Sequence, residues 1–358
     1  MLNSPAMETL AKSPVSLVDF AARKVVTDLK LLKQAPVLPC VLLDKLVQTC
    51  YREPKKVLAL RELIRHWPRK IFSFKNMDLV PTAQDIVLVA SLLQIRQMGS
   101  IECFDISSDM GYRVGGELAT NVLLKAAMGK PVSTMEYEPM QTRSYMESLR
   151  NVAVSVSKFS KCFPDQREGI SYLEEDSFSS RYSEEPRSCK IFMDMVINDD
   201  NFDEARDVLT EQRNNKELLS NNRSRVFLYP VIFRAYYLDV RRIGTVLDLI
   251  DEKYLVGLDL EYCCLVEGSR LPYLQKHAER FYALRKLNLA YNMLTHASGT
   301  VLLGWLKNLQ YLEHLDLSHN RIGDALNMIL KEGIVSSNMT SLILKGVGLT
   351  RSALSLIA

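Results

Sequence analysis

One pattern of apolar residues occurs four times near the C-terminal end of the chain, and it constrains the fold more than any other feature. Each copy approximates Leu-x-x-Leu-x-Leu-x-x-Asn/Cys-x-Leu, the signature of a leucine-rich repeat. The copies begin at Leu255, Leu284, Leu312 and Met339, so the period is 27 to 29 residues. That length leaves room in each repeat for a short strand and a full helix. The pattern therefore predicts an α/β solenoid, in which stacked repeats bury one another's apolar faces.

The polar position of the signature predicts a structural role for two asparagines. Asn292 and Asn320 follow the strand of the second and third copies, where a side-chain amide can satisfy backbone groups of the bend. Cys263 takes this position in the first copy, and Val347 replaces it in the fourth.

Composition bounds the class of protein. The chain has 358 residues, of which 47% are hydrophobic and 24% are charged, as in an ordinary globular protein. A net charge of +3 is too small to indicate nucleic-acid binding. No apolar run is long enough for a membrane span, and no signal peptide is evident, so we expect a protein of the cytosol or the nucleus. Seven cysteines without a Cys-x-x-Cys motif predict reduced thiols.

Three regions differ in their patterns. Residues 1–75 predict a helical region, and residues 251–358 carry the regular repeats. Residues 76–250 are irregular, but two segments, Ile101 to Ile106 and Ile191 to Met195, fit the first half of a repeat strand and predict degenerate repeats. Residues 164–187 are rich in Ser, Glu, Asp and Arg and predict an exposed loop. The last copy stops at Ala358 without a polar cap, so we expect that C-terminal repeats are missing.

The helical region contains two short residue patterns, each along one edge of a predicted helix, that are similar to known docking motifs. Leu17, Ala21 and Val25 recur at helical spacing and fit an elongin-binding pattern, in which a leucine anchor and a small residue allow a partner helix to approach. Further on, Leu38-Pro39-x-x-Leu42-x-x-x-Leu46 is similar to a cullin-2 box. Either edge could equally belong to an amphipathic helix that packs within the chain.

Together these features resemble a known family. The segments 16–22 and 38–46, the stretch from Leu60 to Pro68 and the repeats are similar to the PRAME and leucine-rich repeat-containing protein 14 family, more closely to the latter. The resemblance implies a ribonuclease-inhibitor-like horseshoe with an N-terminal helical cap. It also implies a substrate receptor of a cullin-2 RING ubiquitin ligase that docks through elongins B and C. Some members restrain transcription or innate immune signalling instead. By position, Leu17, Ala21 and Val25 would contact elongin C.

The cullin-2 contacts implied by the same resemblance are Leu38, Pro39 and Leu42, with Leu46 completing the box. The outward positions of the repeat strands would face the protein target, since alternate strand residues point away from the core. This strip has mixed charge and few aromatic residues, which favours a protein surface over nucleic acid. Solvated positions without any partner are the alternative. The candidate contacts are Asp259, Glu261, Lys286, Asn288, His314, Asp316 and Lys345.

No catalytic or metal-binding pattern stands out. His314, Asp316 and Ser318 are close in sequence, but they are alternate residues of one strand, and no Gly-x-Ser-x-Gly elbow is present. The five histidines have no paired spacing, so we expect no metal and no cofactor. Two hypotheses remain: a ligase receptor, which is not itself an enzyme, and a protein-binding scaffold or signalling inhibitor that acts without any ligase.

Overall fold

The structure is a computed structural model with two compact units. It describes residues 17–28, 31, 38–52, 56–94, 98, 100–107, 116–130, 132, 188–215, 226–265, 270–333 and 338–357. The predicted loop at 164–187 lies outside these residues. The first unit comprises Met1–Phe72 with Gln97–Ile101, and the second comprises Ser73–Arg96 with Glu102–Ala358.

The first unit contains the helices α1 (Leu17–Thr27), α2 (Cys40–Cys50) and α3 (Lys56–Arg65) among its described residues. Helix α2 packs against both α1 and α3. The buried residues of the first unit include Leu60 and Leu63 on α3 and Trp67 just after it. The Trp67 indole donates a hydrogen bond of 3.0 Å to the carbonyl of Ile71, which orders the chain after the helix.

A parallel sheet dominates the second unit. The order is sequential from β1 to β8, and β1 crosses from the first unit into the second at Ser73. Each strand is therefore added next to the one before it, as stacked repeats require. The strands are β1 (Ile71–Ser73), β2 (Cys103–Asp105), β3 (Cys189–Ile197), β4 (Val226–Ala235), β5 (Gly257–Asp259), β6 (Lys286–Asn288), β7 (His314–Asp316) and β8 (Ser341–Ile343).

The signature leucines align across the last four strands. Leu258 pairs with Leu287, Leu287 with Leu315, and Leu315 with Leu342. The first three are buried, whereas Leu342 is half-buried. One leucine in each repeat therefore fills the same layer of the core.

Strands β2 and β3 confirm the two strand segments predicted in the irregular region. Phe104 pairs with Ile191, and both side chains are fully buried. Strand β4 then pairs with β5, so the expected boundary at 250 divides neither the sheet nor the second unit. Strands β3 and β4 are longer than the repeat strands and have an irregular register between Met193 and Asp194.

Helices alternate with these strands and pack in chain order. Helix α4 contacts α5, α6 contacts α7, α7 contacts α8, and α8 contacts α9. A crossover through a helix is the usual way to join parallel strands. The helices are α4 (Ala83–Gln94), α5 (Gly116–Ala127), α6 (Phe202–Asn215), α7 (Val240–Leu249), α8 (Arg270–Ala278), α9 (Gly299–Asn308), α10 (Ala325–Met328) and α11 (Arg351–Ile357).

The asparagines of the repeat signature satisfy the bends after the strands, as predicted. Asn320 is fully buried; its Oδ1 accepts from the backbone N–H groups of Asn292 and Leu294 at 3.1 and 3.0 Å. Its Nδ2 donates to the carbonyls of Leu289 and Leu317 at 2.8 and 2.9 Å. Each buried asparagine therefore joins its own repeat to the one before it.

Candidate protein-binding surfaces

The predicted elongin-binding edge lies on α1. Ala21 is exposed and Val25 is half-buried, while their neighbours Ala22 and Val26 fill the core. The side chain of Leu17 lies outside the described residues. The helix therefore presents its small residue, Ala21, to solvent, which is the orientation that a partner helix needs.

The predicted cullin-2 box lies at the start of α2. Pro39 precedes the helix and is exposed, Leu42 is exposed, and Leu38 is half-buried. The predicted cullin-2 contact at Leu46 must be corrected, because this side chain is only 3% exposed and cannot contact a partner in this structure. It lies one turn further along the helix, on the face that packs into the first unit. Sequence reasoning missed Val41, which is 79% exposed beside these residues.

On the sheet, the outward positions form two rows in register. One row contains Lys286 and His314, which pair across β6 and β7 and are half-buried. The other contains Asp259, Asn288 and Asp316. The predicted contacts of the last three repeats are thus brought side by side, and Lys345 follows β8 as an exposed residue.

The second row has an internal role that the sequence analysis did not assign. Asn288 Oδ1 accepts from the N–H of Ala290 at 2.9 Å, and Asp316 Oδ1 accepts from the N–H of Ser318 at 2.8 Å. Asp105 forms the same bond after β2. A side-chain acceptor two residues before an N–H is an Asx turn, and here it ends the strand. A sequence search for Asp or Asn at this position would have found it.

Two residues predicted to contact the protein target are buried instead, which corrects the prediction. Asp259 is 8% exposed, and its carboxylate forms an ion pair of 3.1 Å with Arg234 and accepts from Asn288 Nδ2 at 2.9 Å. Glu261 is also buried. Both residues are therefore part of the internal polar network of β4 to β6, and the accessible positions of the strip are those of the later repeats.

Aromatic residues at the strand ends were also missed. Four residues, Tyr237, Tyr262, Tyr291 and His319, stack in succession along one edge of the sheet. The last three directly precede the Cys or Asn of the signature, a recurrence that is visible in the sequence. The outward strip has few aromatic residues, whereas this edge of the sheet carries the four stacked rings.

The groups that could support catalysis do not form a reactive cluster. His314 and Asp316 are alternate residues of β7, and the Asp316 carboxylate is engaged in the Asx turn. Within the described ranges, no group of three or more His, Cys, Asp or Glu side chains could hold a metal ion.

Burial raises the pKa of the buried cysteines. Desolvation raises the pKa of Cys263 to about 12, and a neighbouring acidic Asp259 adds to this effect. Desolvation likewise raises the pKa of Cys189 to about 12. A thiol that keeps its proton is a poor nucleophile. All five cysteines for which the structure describes a side chain are free thiols, as expected from their spacing.

Comparisons with known proteins identify no family for this chain. No protein-family model matches the chain, and no curated protein matches it. An internalin (inlF) from Listeria monocytogenes is a similar solved structure, with 16% identity and a TM-score of 0.26. The match covers 47% of this chain and 45% of the internalin, so it spans less than half of either protein.

Among the described residues, no helix is both long and apolar enough to cross a bilayer.

Proposed function

We propose that this protein is a substrate-recognition receptor of a cullin-2 RING ubiquitin ligase. Its α1 and α2 helices would dock elongins B and C and cullin-2, and its repeats would hold a protein target. The observation that carries the proposal is the exposure of Ala21, Pro39 and Leu42 on the two helices to which the motif pattern points. In a helix that served packing alone, apolar residues in this pattern would face the core.

The proposed docking surface combines two kinds of contact. Ala21 offers a small side chain on a helix, so a partner backbone can approach closely there. Leu42, with Val41 beside it, offers apolar area at the start of α2. Apolar side chains that cluster at an interface contribute most of the binding free energy when they enter a fitted pocket.

The repeats supply the other half of the proposed function. We infer a ribonuclease-inhibitor-like solenoid, because one strand per repeat adds to a sequential parallel sheet flanked by helices. Its accessible outward residues Lys286, His314, Asp316 and Lys345 would contact the target. The receptor transfers nothing itself: it raises the local concentration of its target beside the ubiquitin-charged enzyme. Action in the cytosol or the nucleus is part of this proposal.

The test is affinity purification of the full chain and of two variants from cells, probed for elongins B and C and cullin-2. Ala21→Gln places a bulky side chain on the exposed edge of α1, and Leu42→Gln removes the apolar side chain at the start of α2. Arg23→Gln is the matched control, since it places the same residue on an exposed position nearly opposite Ala21. Glutamine is a good helix former, so all three variants should fold.

We expect Ala21→Gln to lose elongins and cullin-2 together, and Leu42→Gln to lose cullin-2 while keeping the elongins. Arg23→Gln should behave like the unaltered chain. Failure to recover elongins with the folded, unaltered chain would refute the ligase proposal. The protein would then be a scaffold or inhibitor that acts through its repeats alone.

A further inference from the structure

The stacked aromatic residues at the sheet edge form a continuous ladder. We call Tyr237, Tyr262, Tyr291 and His319 the aromatic ladder. Its ring centroids are separated by 5.5, 4.5 and 4.2 Å in order, and the rings are tilted by 21° or less. Each rung comes from a successive turn of the solenoid, so the ladder extends along the edge in the direction in which the repeats stack.

Backbone geometry gives the ladder a free-energy cost. All four residues adopt positive φ, between 52° and 61°, a conformation that is unfavourable for an L-residue. The next repeat places Gly346 at the same position with a φ of 69°, where glycine has no such penalty. Stacking between neighbouring rings is favourable and offsets part of this backbone cost. Stability alone therefore gives little reason for aromatic residues at these positions.

The ladder has an open end at Tyr237. This side chain is 73% exposed although one face of its ring rests on Tyr262, so the opposite face is open to solvent. Tyr237 and Tyr262 both line a pocket of about 440 Å³ in the second unit. An exposed ring face beside a pocket can stack on a planar side chain of another molecule.

The pocket contains two arginines and two aspartates, so its charges balance. Its two arginines are already engaged within the chain: Arg242 forms an ion pair of 2.8 Å with Asp199 and lies over the Phe202 ring, and Arg270 donates to the Cys264 carbonyl at 3.1 Å.

The two carboxylates in the pocket have acceptor capacity beyond their contacts within the chain. Asp239 Oδ1 accepts from the N–H of Arg241 at 2.8 Å, as the N-cap of α7, and Asp199 is 69% exposed at its side chain. An ionised carboxylate has about four lone-pair sites, so both residues can accept from a bound donor.

We propose that this pocket binds an arginine side chain of a protein partner, with the guanidinium stacked on the open face of Tyr237 and hydrogen-bonded to Asp239 and Asp199. Arginine fits better than lysine, because its planar group stacks on an aromatic ring and presents several donors in a fixed fork. The proposal goes beyond the ligase function and does not depend on it, since the pocket lies entirely in the second unit.

The test is an NMR titration of the full chain, labelled at its tyrosine rings, with a blocked Gly-Arg-Gly peptide. The matched probes are the same peptide with citrulline, which is nearly isosteric but uncharged, and with lysine. The variants are Tyr237→Leu, which removes the ring, Tyr237→Phe, which keeps it, and Asp239→Asn, which keeps the N-cap but removes the charge. Tyr282→Ala is the control, as Tyr282 is 61% exposed and outside the pocket.

We expect saturable binding of the arginine peptide and at least five-fold weaker binding of the citrulline and lysine peptides. Tyr237→Leu and Asp239→Asn should weaken the arginine peptide by five-fold or more, and Tyr237→Phe and Tyr282→Ala should leave it within two-fold. Circular dichroism would establish that each variant is folded. Equal affinity for arginine and citrulline peptides, or unchanged binding by folded Tyr237→Leu, would overturn the proposal.

Discussion

Asn320→Ala tests how much a single buried asparagine contributes to the stability of the repeats. The side chain is 0% exposed and makes five hydrogen bonds to backbone groups of two adjacent repeats. Alanine can replace none of them. Of the five partners, the Ser318 carbonyl retains a bond from the Tyr291 N–H at 3.0 Å, so four groups lose the bond that Asn320 provides.

The magnitude follows from these four groups. Each buried group that loses its only partner costs about 1–3 kcal/mol, although water that enters the vacated space would recover part of this. We therefore expect the free energy of unfolding to fall by about 4 kcal/mol, against a total of about 5–15 kcal/mol for a typical protein. Asn292→Ala should cost less, because Asn292 makes three such bonds.

The assay is urea denaturation of the full chain, followed by circular dichroism. Asn338→Ala is the matched control, since Asn338 is exposed and its Nδ2 donates to the Gln310 carbonyl at a long 3.3 Å. This control should change stability by less than about 0.5 kcal/mol. A loss below about 1 kcal/mol for Asn320→Ala, or a larger loss for Asn292→Ala, would show that the asparagines do not hold the repeats together as described.

Three further outcomes follow from packing and burial. Gly299→Ala should destabilise the protein by about 1–3 kcal/mol, because the added Cβ would lie 2.5 Å from the Cβ of Ala325. Gly304→Ala in the same helix has space for its Cβ and should stabilise the protein by about 0.5–1 kcal/mol. Denaturation midpoints of the two variants measure this difference. At pH 8 the exposed Cys264 should react with iodoacetamide in the folded protein and the buried Cys263 should not, which peptide mass spectrometry can resolve. Folding raises the pKa of Cys263 from about 9 to about 12, so its contribution to the free energy of unfolding is complete below pH 9 and is lost as the pH rises toward 12. Between pH 8 and pH 10.5, the free energy of unfolding measured by denaturation should therefore fall less for Cys263→Ala than for the unaltered chain.

The repeat signature could predict the core of the second unit because each repeat position depends on local spacing. Leu287 and Leu315 must face inward wherever the strand alternates, and Asn320 must follow the strand at a fixed interval. The strand at Phe104 was predictable for the same reason, since its alternating apolar residues keep the first half of the signature.

Burial of the outward polar residues depends on partners far along the chain, so local spacing could not predict it. Asp259 pairs with Arg234, which lies on a strand of the irregular region that carries no signature. Leu46 belongs to a motif that resembles a docking box, but helix packing turns it inward. The pocket beside Tyr237 brings together β3, β4 and β5 loop residues whose proximity appears only in the folded sheet.

The most direct measurement of the proposed function is isothermal titration of the purified full chain with purified elongin B–elongin C complex, alongside Ala21→Gln. Saturable binding by the unaltered chain, and its loss in the folded variant, is the expected result, because the exposed edge of α1 would then form the contact. No binding by the folded, unaltered chain, or equal binding by both proteins, would contradict the assignment of α1 as the docking helix.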